Sequence, residues 1–259
     1  MKNKLLTALF LALIFSSCSN ENTSSSENNT INKAANRQAT GSSANDLLSD
    51  NVFKSITIEI VYVEGFEPTQ TAVDNFISFL TDRTNKPNGI VTEKRAIASP
   101  GKDVYTINDI ADIEREHRKY YNTEDDIAVW AYFSDGKSDS DSEENNTVVL
   151  GSAYWNTSFV IYEETLQGFS NQPLEPKRWL LESTVINHEF GHIFGLTNLG
   201  SAMQSDHEDT EHPKHCNDED CLMYWATESS VGIGNMANRN NVPQLDAQCI
   251  ADLQANGGK

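Results

Sequence analysis

Between residues 52 and 194 the chain switches repeatedly between two hydrophobic periods. Val52 to Val63, "VFKSITIEIVYV", sets β-branched residues at alternate positions and predicts a strand. Thr71 to Asp82 places Val73, Phe76, Ile77 and Leu80 three or four apart, which predicts a helix with one buried face. After the turn Pro87-Asn88-Gly89, Ile90 to Ala98 returns to strand character. Thr106 to Tyr121 is helical again, with Ile107, Ile110, Ile113 and Tyr120 inward. Asp126 to Phe133, "DIAVWAYF", is apolar almost without interruption, as a central strand covered on both faces requires. Two shorter strands follow, Thr147 to Tyr154 and Phe159 to Tyr162, and then a long helix from Glu175 to Phe194. This order predicts an α/β fold whose later strands are antiparallel additions to the sheet.

The amino-terminal region has a different pattern. Lys2 and Lys4 precede an apolar run from Leu5 to Phe15 that is too short to span a bilayer and has the charge flank of an export signal. Its end, Phe15-Ser16-Ser17-Cys18, resembles a bacterial lipoprotein processing site. That resemblance implies removal of residues 1–17, lipidation of Cys18, and an exported protein held to the cell envelope, at the outer membrane or cell surface, by acyl chains. Residues 18–50 are mostly Ser, Asn, Thr, Glu and Ala and predict a disordered stalk. Residues 51–259 are left as one domain with a substantial core.

The formal charge of −19 argues against nucleic acid as a partner and against electrostatic docking to anionic lipid. The acidic residues concentrate in Asp135–Glu144 and Asp206–Asp220, either as solvated loops or as a Ca2+ site. Beyond Cys18 there are three cysteines, Cys216, Cys221 and Cys249, an odd number for an oxidising compartment.

The chemistry concentrates at "HEFGHIFG", His188 to Gly195. Residues four apart share a helix face, so His188 and His192 can present ring nitrogens to one Zn2+ ion. Glu189 lies beside the first histidine, where a carboxylate can hold the water that zinc activates and accept its proton. Gly195 permits the left-handed residue that ends the helix and turns the chain back.

This stretch resembles the first part of the metzincin zinc-protease signature. The family takes its third ligand three residues after the glycine, where this chain has Asn198, and an amide oxygen is a poor zinc ligand. Further on, His215-Cys216-x4-Cys221-x-Met223 resembles the archaemetzincin branch, in which a ligating histidine is followed by a cysteine, a second cysteine and the methionine of the Met-turn. The resemblance implies His215 as third ligand, Met223 as the turn methionine, and Thr197–Lys214 as an insertion. His207, His212 and Asn198 are the alternatives to His215. That branch also holds a structural zinc with additional cysteines; three cysteines leave it short, so one catalytic Zn2+ and a Cys216–Cys221 disulfide are the expectation. The implied fold is a metzincin-like twisted mixed sheet with an antiparallel edge strand, an active-site helix and a small carboxy-terminal subdomain containing the Met-turn. The implied activity is that of a zinc endopeptidase with Glu189 as general base, acting on protein or peptide substrates laid along the edge strand, for which Val148–Tyr154 is the candidate. The competing readings are a non-catalytic surface-binding lipoprotein on the same scaffold and a metal-sequestering lipoprotein.

Overall fold

The computed structural model describes residues 31–142, 144, 147–228, 233, 234, 236 and 239–259; the signal segment, Cys18 and the first part of the stalk lie outside the described residues. Five strands form the principal sheet: β1 (Ser55–Val63), β2 (Ile90–Ile97), β4 (Asp126–Phe133), β6 (Gly151–Trp155) and β7 (Ser158–Ile161). Their order is β2-β1-β4-β7-β6, with β2/β1, β1/β4 and β4/β7 parallel and β6/β7 antiparallel. Two short strands, β3 (Val104–Tyr105) and β5 (Lys137–Ser138), pair separately. The fold is thus mixed α/β, as expected, but of the two later strands expected as antiparallel additions only β6 is one, because β7 joins β4 in parallel.

The apolar run of β4 is explained by its place between two parallel neighbours. Ile127, Val129, Ala131 and Phe133 enter one buried cluster, and Trp130 and Tyr132 enter a second on the opposite face. The first cluster is covered by α2 (Gln70–Arg83), by Leu166 of the short α4 (Glu163–Gly168) and by α5 (Arg178–Ile193), where Phe76 meets Phe159 and Phe190 edge to face. The second takes Ile110 and Ile113 of α3 (Ile107–His117). α3 starts at a capping box between Thr106 and Asp109 and stops four residues before the predicted Tyr121. It stops there because Arg118 turns extended and buries its guanidinium 2.7 Å from Glu114, with Thr157, Ser158 and the Ala128 carbonyl around it. The strand predicted from Thr147 starts only at Gly151, because the Asp141 carboxylate and the Ser142–Thr147 bridge hold the preceding residues in a loop.

Residues 31–50 are not a stalk. They form a 3-10 turn (Lys33–Asn36) and a short helix, α1 (Ala44–Leu48), with Ala44 buried and Leu47 and Leu48 buried in the main core. Two buried leucines contribute about 1.5–3 kcal/mol each. The Asn36 side chain, itself fully buried, donates to Asn122 Oδ1 at 2.7 Å and to the Ala128 carbonyl at 3.0 Å. Mean composition hid these few apolar and hydrogen-bonding anchors. Among the described residues no helix is long and apolar enough to cross a membrane.

Candidate metal centres

Helix α5 is buried along nearly its whole length, with Leu181, Val185, Ile186, Phe190 and Ile193 in the main core. Its end follows from Gly195, at φ +75°: the Gly195 amide bonds His192 O at 3.0 Å and the Leu196 amide bonds Gly191 O at 3.2 Å. This double closure is a Schellman motif, and a side chain at Gly195 would meet the Ser201 amide at 2.6 Å. Thr197 and Asn198 also have positive φ, so the chain leaves the helix sharply.

Asn198 turns its amide to Glu208. The hydroxyl of Thr197 takes the carbonyl of Lys214, which clips the two ends of the intervening loop together. His215 therefore arrives beside the helix end, as though residues 198–213 were an excursion from it. The nitrogens of His188, His192 and His215 all lie within 4.8 Å of one another. His188 Nε2 and His192 Nε2 are 3.2 Å apart, close to the edge of about 3.3 Å of a zinc–imidazole tetrahedron. The His215 ring centroid lies 5.3 Å from that of His188 and 5.1 Å from that of His192. His188 Nδ1 lies 2.7 Å from the Leu222 carbonyl, and donation there leaves Nε2 as the ligating lone pair.

Two glycines, Gly191 and Gly151, make the site compact. A Cβ on Gly191 would sit 2.2 Å from Met223 Sδ, so this glycine lets the methionine lie directly beneath the helix. A Cβ on Gly151 would sit 2.8 Å from Glu189 Cγ, so the edge strand β6 runs against the glutamate. Glu189 is 1% exposed. A cleft of about 180 Å3 opens among Thr40, Ala153, Glu189, His192, Lys214 and His215.

The other predicted candidates lie elsewhere. His212 stacks on Trp225 at 4.1 Å and pairs with Asp209 at 2.8 Å. His207 is buried among the cysteines. The expected Cys216–Cys221 disulfide is absent: Cys216, Cys221 and Cys249 are all buried free thiols. They converge instead, with Cys221 Sγ 3.7 Å from Cys249 Sγ, and His207 Nδ1 3.5 Å from Cys216 Sγ and 3.9 Å from Cys249 Sγ. A zinc tetrahedron of sulfur and nitrogen has edges of about 3.5–3.8 Å. Behind it, His207 Nε2 meets Asp252 Oδ2 at 2.8 Å, the carboxylate–histidine pairing common to metal ligands. Hydrogen bonds from Cys216 and Cys249 draw the Cys221 thiol down to about 4, so a thiolate is available without alkaline pH. Counting cysteines alone missed this group because a histidine, His207, and a carboxylate, Asp246, belong to it; the clue was the odd cysteine. Asp246 caps α6 (Ala247–Ala255) through the Cys249 amide and lies 3.4 Å from Cys216 Sγ. Among the described residues, the donor atoms that lie within 4.8 Å of one another are those of His188, His192 and His215 and those of His207, Cys216, Asp246 and Cys249, with Cys221 joined to the second group through Cys249; the acidic runs by themselves assemble none, so Ca2+ gains no support.

No protein-family model matches this chain, and no curated protein matches it. Among solved structures, the archaemetzincin of Methanopyrus kandleri superposes with a TM-score of 0.51 at 16% identity, over 78% of this chain and 96% of that one. Metalloproteinase-II of Bacteroides fragilis gives a TM-score of 0.40 at 14% identity, over 80% of this chain and 54% of that one. The first likeness is one of fold: a mixed α/β architecture of archaemetzincin type, with a mostly parallel sheet and an antiparallel edge.

Proposed function

We propose that this protein is a zinc-dependent peptidase, exported and tethered through a lipidated Cys18, that hydrolyses peptide bonds at His188, His192 and His215. The observation that carries this reading is the 3.2 Å separation of two imidazole nitrogens on one helix turn, with a third imidazole against both and a buried carboxylate beside them. The donor set fits zinc: three neutral nitrogens and one open side, the arrangement of catalytic sites. When bound there, zinc supplies Lewis acidity toward a carbonyl and lowers the pKa of water toward neutrality.

The protein's own groups do the rest. Glu189, pressed against β6 at Gly151, is placed to accept a proton from the attacking water and to return it to the leaving amine. The His188–Leu222 hydrogen bond fixes a ring tautomer, and Met223 below Gly191 supports the floor. The outward edge of β6 offers backbone groups to an extended peptide. A second ion, held by Cys216, Cys221, Cys249 and His207, would brace the segment that delivers His215.

The test is Glu189→Gln. It should retain zinc and fold while losing about 10³-fold in hydrolysis of an unfolded protein substrate. Undiminished hydrolysis would remove Glu189 from the mechanism, and a wild-type protein loading several weakly held metals without hydrolysis would favour sequestration.

A further inference from the structure

The cleft has one wall, at Thr40, that carries no metal-ligating side chain. Residues 38–41 pass from the edge strand to the loop behind the metal helix, across one end of the groove. On the upper side, the fully buried Asn156 grips this segment: its Oδ1 accepts from the Gln38 amide at 2.9 Å, its own amide donates to Gln38 O at 3.0 Å, and its Nδ2 donates to Ala35 O and Ser43 Oγ at 2.8 Å each. On the lower side, Gly41 is wedged so tightly that a Cβ would fall 2.0 Å from Leu199 O, and a Cβ on Gly200 would fall 2.4 Å from Gly41 O. With Asn36 and α1 anchored in the core, the segment is a fixed strap.

Its position along β6 determines what it obstructs. Tyr162 bonds the Leu150 carbonyl at 3.0 Å, and Ser152 pairs with Val160. Alternation then turns the backbone groups of Gly151 and Ala153 to the open edge, where an added strand would pair. Gly151 faces Glu189, but the hydroxyl of Thr40 sits 3.4 Å from the Ala153 carbonyl and lines the cleft beside His192 and His215. The usable edge therefore runs from the reacting centre for only about two residues, at about 3.4 Å each, before it meets the strap. A strand added antiparallel to β6, the better-bonded polarity, brings its amino-terminal side to that end.

We infer that Gln38–Gly41 is an end stop in the substrate groove, so that the site takes peptides with about two residues before the scissile bond and a long, unrestricted carboxyl side. This inference rests on the peptidase reading. Long amino-terminal extensions collide with Thr40 and the Gly41–Leu199 junction, so internal segments of a long chain are poor substrates.

The experiment digests a defined peptide library with the zinc-loaded protein and maps every cut by mass spectrometry. In parallel, fluorescence anisotropy measures the binding of the same peptides to Glu189→Gln, which needs no turnover. The expected result is cutting within about two residues of the amino terminus, with longer overhangs at least about tenfold poorer in both cleavage and binding. Gly41→Asp, which cannot fit against Leu199, should release the strap and raise internal cuts about tenfold. Thr40→Gly, which keeps the strap's anchors, should do so about threefold should the first variant not fold. Internal cuts as frequent as terminal ones in the wild type, cuts gathered at the carboxyl end, or an unchanged pattern in both folded variants would overturn the end stop while leaving the peptidase reading intact. No cut in any peptide would overturn the peptidase reading, and this inference with it.

Discussion

The two metal-competent groups lie on either side of His215-Cys216, yet they are built to opposite designs. His188, His192 and His215 are nitrogen donors with one side open to a cleft, and the half-buried His215 reaches them from a loop. His207, Cys216, Cys221 and Cys249 are all buried, three of these four side chains carry sulfur, Asp246 adds a carboxylate beside Cys216, and Asp252 closes the rear. An open three-ligand set leaves a coordination position for chemistry, while a closed four-ligand set has none to give and can contribute only stability. The adjacency of the two is informative. Cys216 donates its amide to Met223 O at 2.8 Å and Asn217 donates to His207 O at 2.9 Å, so the residues directly after His215 are tied to the Met223 segment and to the buried group.

The strongest way to break this contrast is Cys249→Ser. It should remove one zinc of two and lower stability by about 3 kcal/mol or more, a fall of about 6–12 °C in Tm at this chain length. The ion at the three histidines should stay wherever the variant still folds; zinc stoichiometry and a thermal melt read both. A variant with two zincs and an unchanged melt would mean that the cysteines do not hold metal.

A smaller effect separates the scaffold of α5 from its chemistry. Arg178 lies 2.8 Å from both Glu163 and Glu182 near the helix start, and Glu182 accepts from the Thr69 amide at 3.0 Å. Desolvation, then the charge of Glu182, pushes the Glu163 carboxyl well above its ordinary 4.5, so the folded protein keeps a proton between the two carboxyls that the unfolded chain releases. With more protons bound in the folded state, stability falls as pH rises above about 4.5. Glu163→Gln supplies that donor permanently. It should be more stable than wild type by on the order of 1 kcal/mol at pH 8 and indistinguishable near pH 4, by denaturant titration at each pH, with zinc content unaffected. A difference that does not change with pH would remove the shared proton.

The sequence made the strands and helices around the site readable because each buries a face of a recognisable period: β4 on both sides, α2 and α5 on one. The positions of His188, Glu189 and His192 follow from a local spacing on one helix, and that of His215 from the cysteine and methionine that follow it. What was not readable depends on contacts distant in the chain. Leu47 and Leu48 are two apolar residues in a polar segment, and their burial depends on the core they meet. His207 and Cys249 are 42 residues apart and meet only because α6 packs behind the metal loop. Gly191 becomes meaningful only when Met223 is seen against it, as does the contact of Gly151 with Glu189.

On the proposed reading, one chain holds two zinc ions of unlike chemistry, only one of them open to the cleft. The most direct measurement is zinc K-edge X-ray absorption on the wild type and on His215→Ala, with metal content determined on the same samples. The expected wild-type result is two zincs per chain, with both nitrogen scatterers at about 2.0 Å and sulfur scatterers at about 2.3 Å. His215→Ala should lose nitrogen scattering and keep the sulfur shell. A single zinc with nitrogen ligands alone, or a variant that loses the sulfur shell and keeps the nitrogen shell, would contradict it.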